Sequence, residues 1–148
     1  MLLRYKSKSI WLVILFITCS VTVNSQDIEV LVTGIRSVQG QLIIKVFKDD
    51  ESFKKDKPFI KKFFLKNVSP KGEMIVNFTL EPGTYGLALL DDENKDNDLN
   101  YGFLGIPVEG FGFSNYYLSG LSRPNFDFFK FVLNKNQKQK ITIIIRYM

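Results

Sequence analysis

Apolar and polar residues alternate with a period of two over most of the chain beyond residue 26. Ile28, Val30 and Val32 share one face, with Glu29 and Thr33 on the other. Leu42, Ile44 and Val46 form the next apolar face, opposite Gln41 and Lys45. Residues 59–66, "FIKKFFLK", read as a third strand. Met74, Val76, Phe78 and Leu80 alternate with Glu73, Asn77 and Thr79. Pro82 and Gly83 then turn the chain, because proline presets φ and glycine accepts unusual backbone angles. Tyr85, Leu87 and Leu89 face inward on the following strand. "NFDFFKFVL" and "KITIIIRY" supply the last two. About seven short strands separated by Gly and Pro turns predict an all-β, antiparallel β-sandwich, immunoglobulin-like or transthyretin-like. A small barrel is the alternative. The only helical signal is one turn within Asp49–Asp56. From Leu90 to Asn125 the alternation lapses, and segments this long without pattern are usually functional or flexible.

The first 25 residues break the pattern. Arg4, Lys6 and Lys8 precede an apolar run from Ile10 to Ile17, and Val23 and Ser25 stand three and one residues before a cut ahead of Gln26. This is the layout of a secretory signal peptide, and the run is short for a span of about 20 residues. The alternative is a retained anchor. The expected organisation is therefore 1–25 signal peptide and 26–148 a single domain. Export to the periplasm, the cell exterior or the outer membrane follows, with membrane contact only through the leader.

Composition narrows the chemistry. The leader holds the sole Cys and the sole Trp, and the chain has no His. Residues 26–148 therefore exclude Cys–His and Ser–His–Asp catalysis and Cys/His zinc sites. Twenty basic residues, less three in the leader, face fifteen acids, so the exported chain carries +2. That small excess argues against nucleic acid. Without disulfides, a core rich in Phe must hold the domain together.

The acids are not spread evenly. "DDENKDNDLN", Asp91–Asn100, holds five acids and one base. Asp92, Asn94, Asp96 and Asp98 recur at every second position, the spacing with which short loops wrap a hard cation in oxygen. Asn97 stands where such loops place Gly, and Asn tolerates left-handed backbone. Leu99 is expected to enter the core, and Asn100 to add an oxygen. The twelfth position from Asp92 is Phe103, not the bidentate Glu of an EF-hand. Calcium is the candidate cofactor, with Glu93, Glu109 or backbone oxygens as auxiliaries. The alternative is a solvated acidic turn.

"PGTYGLALLDDENKDNDLNYGFLGIPVEGFGFSN", Pro82–Asn115, resembles the hallmark of the DUF2141 family, a group of small exported bacterial proteins. "VTGIRSVQGQLIIKVF" and "ITIIIRY" extend the resemblance over nearly all of residues 26–148. The run Gly105–Asn115 is its most specific part. The departures fall in the acidic stretch. The family's usual His is Asp91, its Gly residues are Lys95 and Asn97, and its closing Asp is Asn100. The resemblance implies export and a β-sandwich, and implies no activity. The stretch is also similar to the calcium loops of bacterial surface repeat domains.

Other features carry paired readings. Phe111 and Phe113, between glycines, either form a binding surface for a partner or fold back as a cap, with Gly110 and Gly112 supplying special backbone angles. Lys54, Lys55, Lys57, Lys61, Lys62 and Lys66 form either a patch for an anionic envelope surface or a solvated edge. The expected function is a monomeric, envelope-associated binding or structural module for an unidentified envelope component or protein, not an enzyme. The alternative is a small carboxylate-dependent hydrolase acting on envelope polysaccharide, which would need two carboxylates across a cleft.

Overall fold

A computed structural model describes residues 25–148; residues 1–24, all but the last residue of the expected leader, fall outside the described residues. Eight strands form two sheets. The first sheet orders β4 (Met74–Leu80), β1 (Gln26–Thr33) and β8 (Gln139–Ile144). β1 pairs antiparallel with β4 and parallel with β8, so the first and last strands run side by side. The second sheet orders β3 (Ile60–Leu65), β2 (Gln41–Phe47), β5 (Gly83–Asp92) and β6 (Gly110–Phe113). β7 (Lys130–Leu133) pairs with the first half of β5, and β6 with the second half. The result is the antiparallel-rich β-sandwich that the alternation predicts.

Between the sheets lie the expected inward faces, including Val30, Ile44, Leu87 and Ile143. The middle of the second sheet, however, is buried on both faces. On β2, Ile43 and Phe47 are as buried as Leu42, Ile44 and Val46. A second cluster covers this outer face: Phe47, Phe53, Phe111, Phe113, Phe126 and Phe129, joined by Leu118. Phe53 comes from α1 (Asp50–Lys54), whose N-cap Asp49 accepts from the Ser52 N–H at 2.7 Å. Phe126 and Phe129 come from α2 (Phe126–Phe129). "NFDFFKFVL" is thus a helical turn followed by a short strand, not one strand. Phe126 and Phe129 dock on the outer face, and Phe131 of β7 enters the core between the sheets.

Three expectations change here. Phe111 and Phe113, expected in a loop, lie in β6 and are 9% and 8% exposed, so a partner surface built on them finds no exposed rings. Gly110 and Gly112 supply close approach instead of unusual angles: a Cβ would come within 2.4 Å of Tyr147 Cε1 and 2.6 Å of Ile143 Cγ2. That closeness lets β6 reach the last strand, where Phe111 and Arg146 exchange backbone hydrogen bonds of 3.0 and 2.8 Å and stitch the two sheets together. Finally, Leu99 is half-buried on the outer side of the second sheet, away from the core between the sheets.

Candidate functional site

The acidic stretch divides as β5 ends, because successive strand residues point to opposite faces. Asp91 shares the inward face of Leu87 and Leu89 and is fully buried. There it forms an ion pair with Lys66, whose side chain is also fully buried. The Tyr147 hydroxyl donates to the second oxygen of Asp91 at 2.5 Å, and Lys66 Nζ also donates to the Ser37 carbonyl at 3.0 Å. Burial raises the Asp91 pKa above the usual carboxylate value, against the opposing pull of Lys66 and Tyr147. Burial, then the bond to Asp91, raises that of Tyr147. Lys66 therefore does not belong to a surface lysine patch. Lys54 and Lys55 do not form one with it either, since they pair with Asp50 and Glu51 of their own helix.

Asp92 points the other way and is also fully buried. Its Oδ1 accepts from the Asp96 N–H at 3.2 Å; its Oδ2 accepts from the Asn97 N–H at 3.1 Å and from Gln41 Nε2 at 2.7 Å. The loop that folds back to make these bonds holds Lys95 and Asn97 at φ 63° and 70°. Asn97 thus takes the left-handed conformation that its position requires, and Lys95 takes it without an amide side chain to ease it.

Strand pairing brings in Glu109. Asp91 pairs with Gly110 across β5 and β6, so the neighbouring Glu109 arrives beside Asp92. Glu109 is 4% exposed and accepts from the N–H groups of Glu93 and Asn100, both at 3.1 Å. Burial, and then the charges of Asp92 and Asp96, raise its pKa. One carboxylate oxygen each from Asp92, Asp96 and Glu109 lie within 4.8 Å of one another. No Lys or Arg forms a salt bridge with these three among the described residues.

The other sequence-derived candidates are placed differently. Asn94 and Asn100 flank the cluster by their amides: both donate to Asp96 Oδ2, at 2.9 and 2.8 Å, and Asn94 also donates to Asn100 Oδ1 at 2.7 Å. Asp98 is exposed and contributes its backbone N–H to Asp96 Oδ1. Glu93 turns away to Arg36, with bonds of 3.0 and 2.7 Å, and the guanidinium holds its pKa below the ordinary value. Sequence reasoning missed Lys66, Tyr147 and Arg36. Their role depends on contacts between residues far apart in the chain, and no local spacing announces it.

A second feature lies next to this end of the fold. On the outer face of the second sheet, the aromatic cluster leaves a cavity of about 490 Å³. Asp98, Leu99 and Tyr101, which follow directly from the acidic loop, form part of its wall. Its carboxylates are Asp56, paired with Lys45 at 2.8 Å, and Asp98.

The DUF2141 family model, described as an uncharacterized protein conserved in bacteria, matches residues 30–142. No curated protein and no solved structure matches the chain.

Proposed function

The chain belongs to the DUF2141 family, and we propose that it is an exported, envelope-associated binding or structural module whose acidic end takes a calcium ion. The observation that carries the metal part is the convergence of Asp92, Asp96 and Glu109, two of them buried, without a cationic side chain to neutralise them. Three carboxylates at this spacing repel, and in a partly buried setting the cost reaches about 1 kcal/mol or more per contact. A hard divalent cation removes that cost and accepts oxygen ligands from flexible loops. Asn94 and Asn100 stand beside the cluster, and a half-turn of either amide presents an oxygen in place of the donor. Glu93 has no part in the shell, because Arg36 holds both its oxygens.

What favours binding over polysaccharide hydrolysis is the disposition of the cavity's acids. Asp56 is tied to Lys45, and Asp98 belongs to the acidic loop, so neither stands as one of a free, facing pair. Export is supported by the layout of residues 1–25. Cell fractionation tests it: recovery in the cytoplasm with the leader intact would overturn it.

The metal test is thermal melting with calcium and with chelator. A bound ion stabilises the native state by about 2.7 kcal/mol at a hundredfold excess over its dissociation constant. The expected result is a higher Tm in millimolar calcium, abolished by Asp96→Asn. The same Tm in calcium and in chelator would overturn the site.

A further inference from the structure

We propose that the cavity on the outer face of the second sheet binds a long acyl chain, entered across an apolar rim, with the anionic head held near Arg123. Its volume, about 490 Å³, falls inside the roughly 300–1,000 Å³ range of small-molecule sites. The buried part of its wall includes Phe47, Phe53, Phe111, Phe113 and Leu118. These five side chains offer no hydrogen bonds and suit an apolar chain, whereas the polar lining residues Lys45, Asp56, Asp98, Tyr101 and Arg123 suit a polar head.

The mouth carries the second observation. Residues 100–108 form a small hairpin, closed by the Val108 N–H to Asn100 carbonyl bond at 3.0 Å and a bridge between Tyr101 and Pro107. At its tip Phe103 and Leu104 are 87% and 79% exposed, in the turn that ends at the lining residue Gly105. Tyr101 and, from another loop, Leu121 are 61% and 82% exposed and also line the cavity. Single exposed apolar residues are ordinary, but Tyr101 and Leu121 are exposed and line one cavity, and Phe103 and Leu104 continue the exposed apolar run on the same hairpin as Tyr101, which marks an interaction surface. Leu104 is further held at φ 61°, a strained angle for leucine that buries nothing in return. A rim of this kind lets an apolar chain enter without first being stranded in water.

The charged lining residues place the head. Lys45 is paired with Asp56, and Asp98 lies on the acidic-loop side. Arg123 has its guanidinium 4.0 Å from the Phe53 ring and donates to the Phe53 carbonyl, but forms no salt bridge among the described residues. It is the cation available to a carboxylate or phosphate. This inference does not rest on the calcium reading.

The test is titration of residues 26–148 with the fluorescent fatty acid cis-parinaric acid, in calcium and in chelator. Saturable one-to-one binding is expected in at least one of the two conditions. It should weaken at least tenfold in Ala88→Leu, which narrows the cavity, and in Leu121→Glu, which charges an exposed rim position and leaves folding intact. Arg123→Gln should weaken it severalfold, and unchanged affinity there would overturn the head assignment. Sedimentation with phosphatidylethanolamine–phosphatidylglycerol vesicles separates the sources. Co-sedimentation that is lost in Leu121→Glu supports a membrane lipid, and probe binding without co-sedimentation supports a free fatty acid. Absence of saturable probe binding, or wild-type affinity in both folded cavity variants, would overturn the proposal.

Discussion

Replacing Lys66 by methionine removes one half of a fully buried ion pair and keeps the apolar stem. Asp91 then remains between the sheets with only the Tyr147 hydroxyl as partner. Breaking a buried pair from one side costs about 3–5 kcal/mol, because the remaining charge is left uncompensated. At about 4 °C per kcal/mol for a domain of this size, Tm should fall by about 12–20 °C. The same loss is expected for Asp91→Asn, which leaves the buried Lys66 charge with neutral acceptors only. The double variant Lys66→Met/Asp91→Leu removes both charges and should be more stable than either single one. It should still fall short of wild type, since the Tyr147 hydroxyl loses its acceptor at about 1–3 kcal/mol. Urea unfolding followed by circular dichroism measures all three. The pH dependence supplies an internal check. In Lys66→Met the pull that lowers the Asp91 pKa is gone, so burial raises it further. A raised carboxyl pKa favours the native state when the group is protonated, and that advantage disappears as pH rises through the folded-state value. The variant's deficit should therefore be smaller at pH 4 than at pH 8. Single variants within about 1 kcal/mol of wild type would refute the reasoning, because a loss that small belongs to exposed pairs.

Other predictions follow the same geometry. Lys95→Gly should stabilise the calcium-free protein by about 0.5–1 kcal/mol, since glycine takes φ 63° without the penalty lysine meets; a lower urea midpoint would contradict this. Gly112→Ala should destabilise by about 1–3 kcal/mol, because the new Cβ meets Ile143 Cγ2 at 2.6 Å and the Ile144 carbonyl oxygen at 2.9 Å; an unchanged midpoint would show that β8 can yield. In chelator, the raised pKa of Glu109 gives a stabilising contribution that is present at acid pH and lost as pH rises past the ordinary carboxylate range. Glu109→Gln should remove that part of the pH dependence, as read by Tm between pH 4 and 7.

The sandwich was legible because its inner faces obey strict alternation. Ile28, Val30 and Val32, or Tyr85, Leu87 and Leu89, need no long-range knowledge to be placed. The outer layer was not legible, and β2 shows why. In "QLIIKVF" the extra apolar residues Ile43 and Phe47 interrupt the alternation, and a strand covered on both faces reads as a nearly continuous apolar run. That run, together with aromatics at Phe53, Phe126 and Phe129, was the available sign of a third layer. β6 was hidden for a related reason. Its two glycines resemble loop punctuation, yet they serve a strand with no room for side chains beside Ile143 and Tyr147.

The acidic stretch shows the same limit from the side of charge. Counting five acids along the chain suggests one repelling cluster, but Asp98 stays exposed beside the outer cavity and the fold sends the other four to three places. Asp91 goes inward to Lys66, Glu93 goes sideways to Arg36, and Asp92 and Asp96 stay with Glu109. Asp91 is buried between the sheets, and its partner Lys66 follows directly on β3, far from it in sequence. A His there could be buried neutral, whereas Asp needs a counter-charge to be buried ionised. The charge of Asp91 is therefore neutralised inside the fold by Lys66. The charge left for a cation to balance is that of Asp92, Asp96 and Glu109. Replacing Asp91 by His should accordingly leave any calcium-dependent rise in Tm in place while lowering the calcium-free Tm, because Lys66 loses its carboxylate. Loss of the calcium response in Asp91→His would show that the two halves of the acidic stretch are one electrostatic unit.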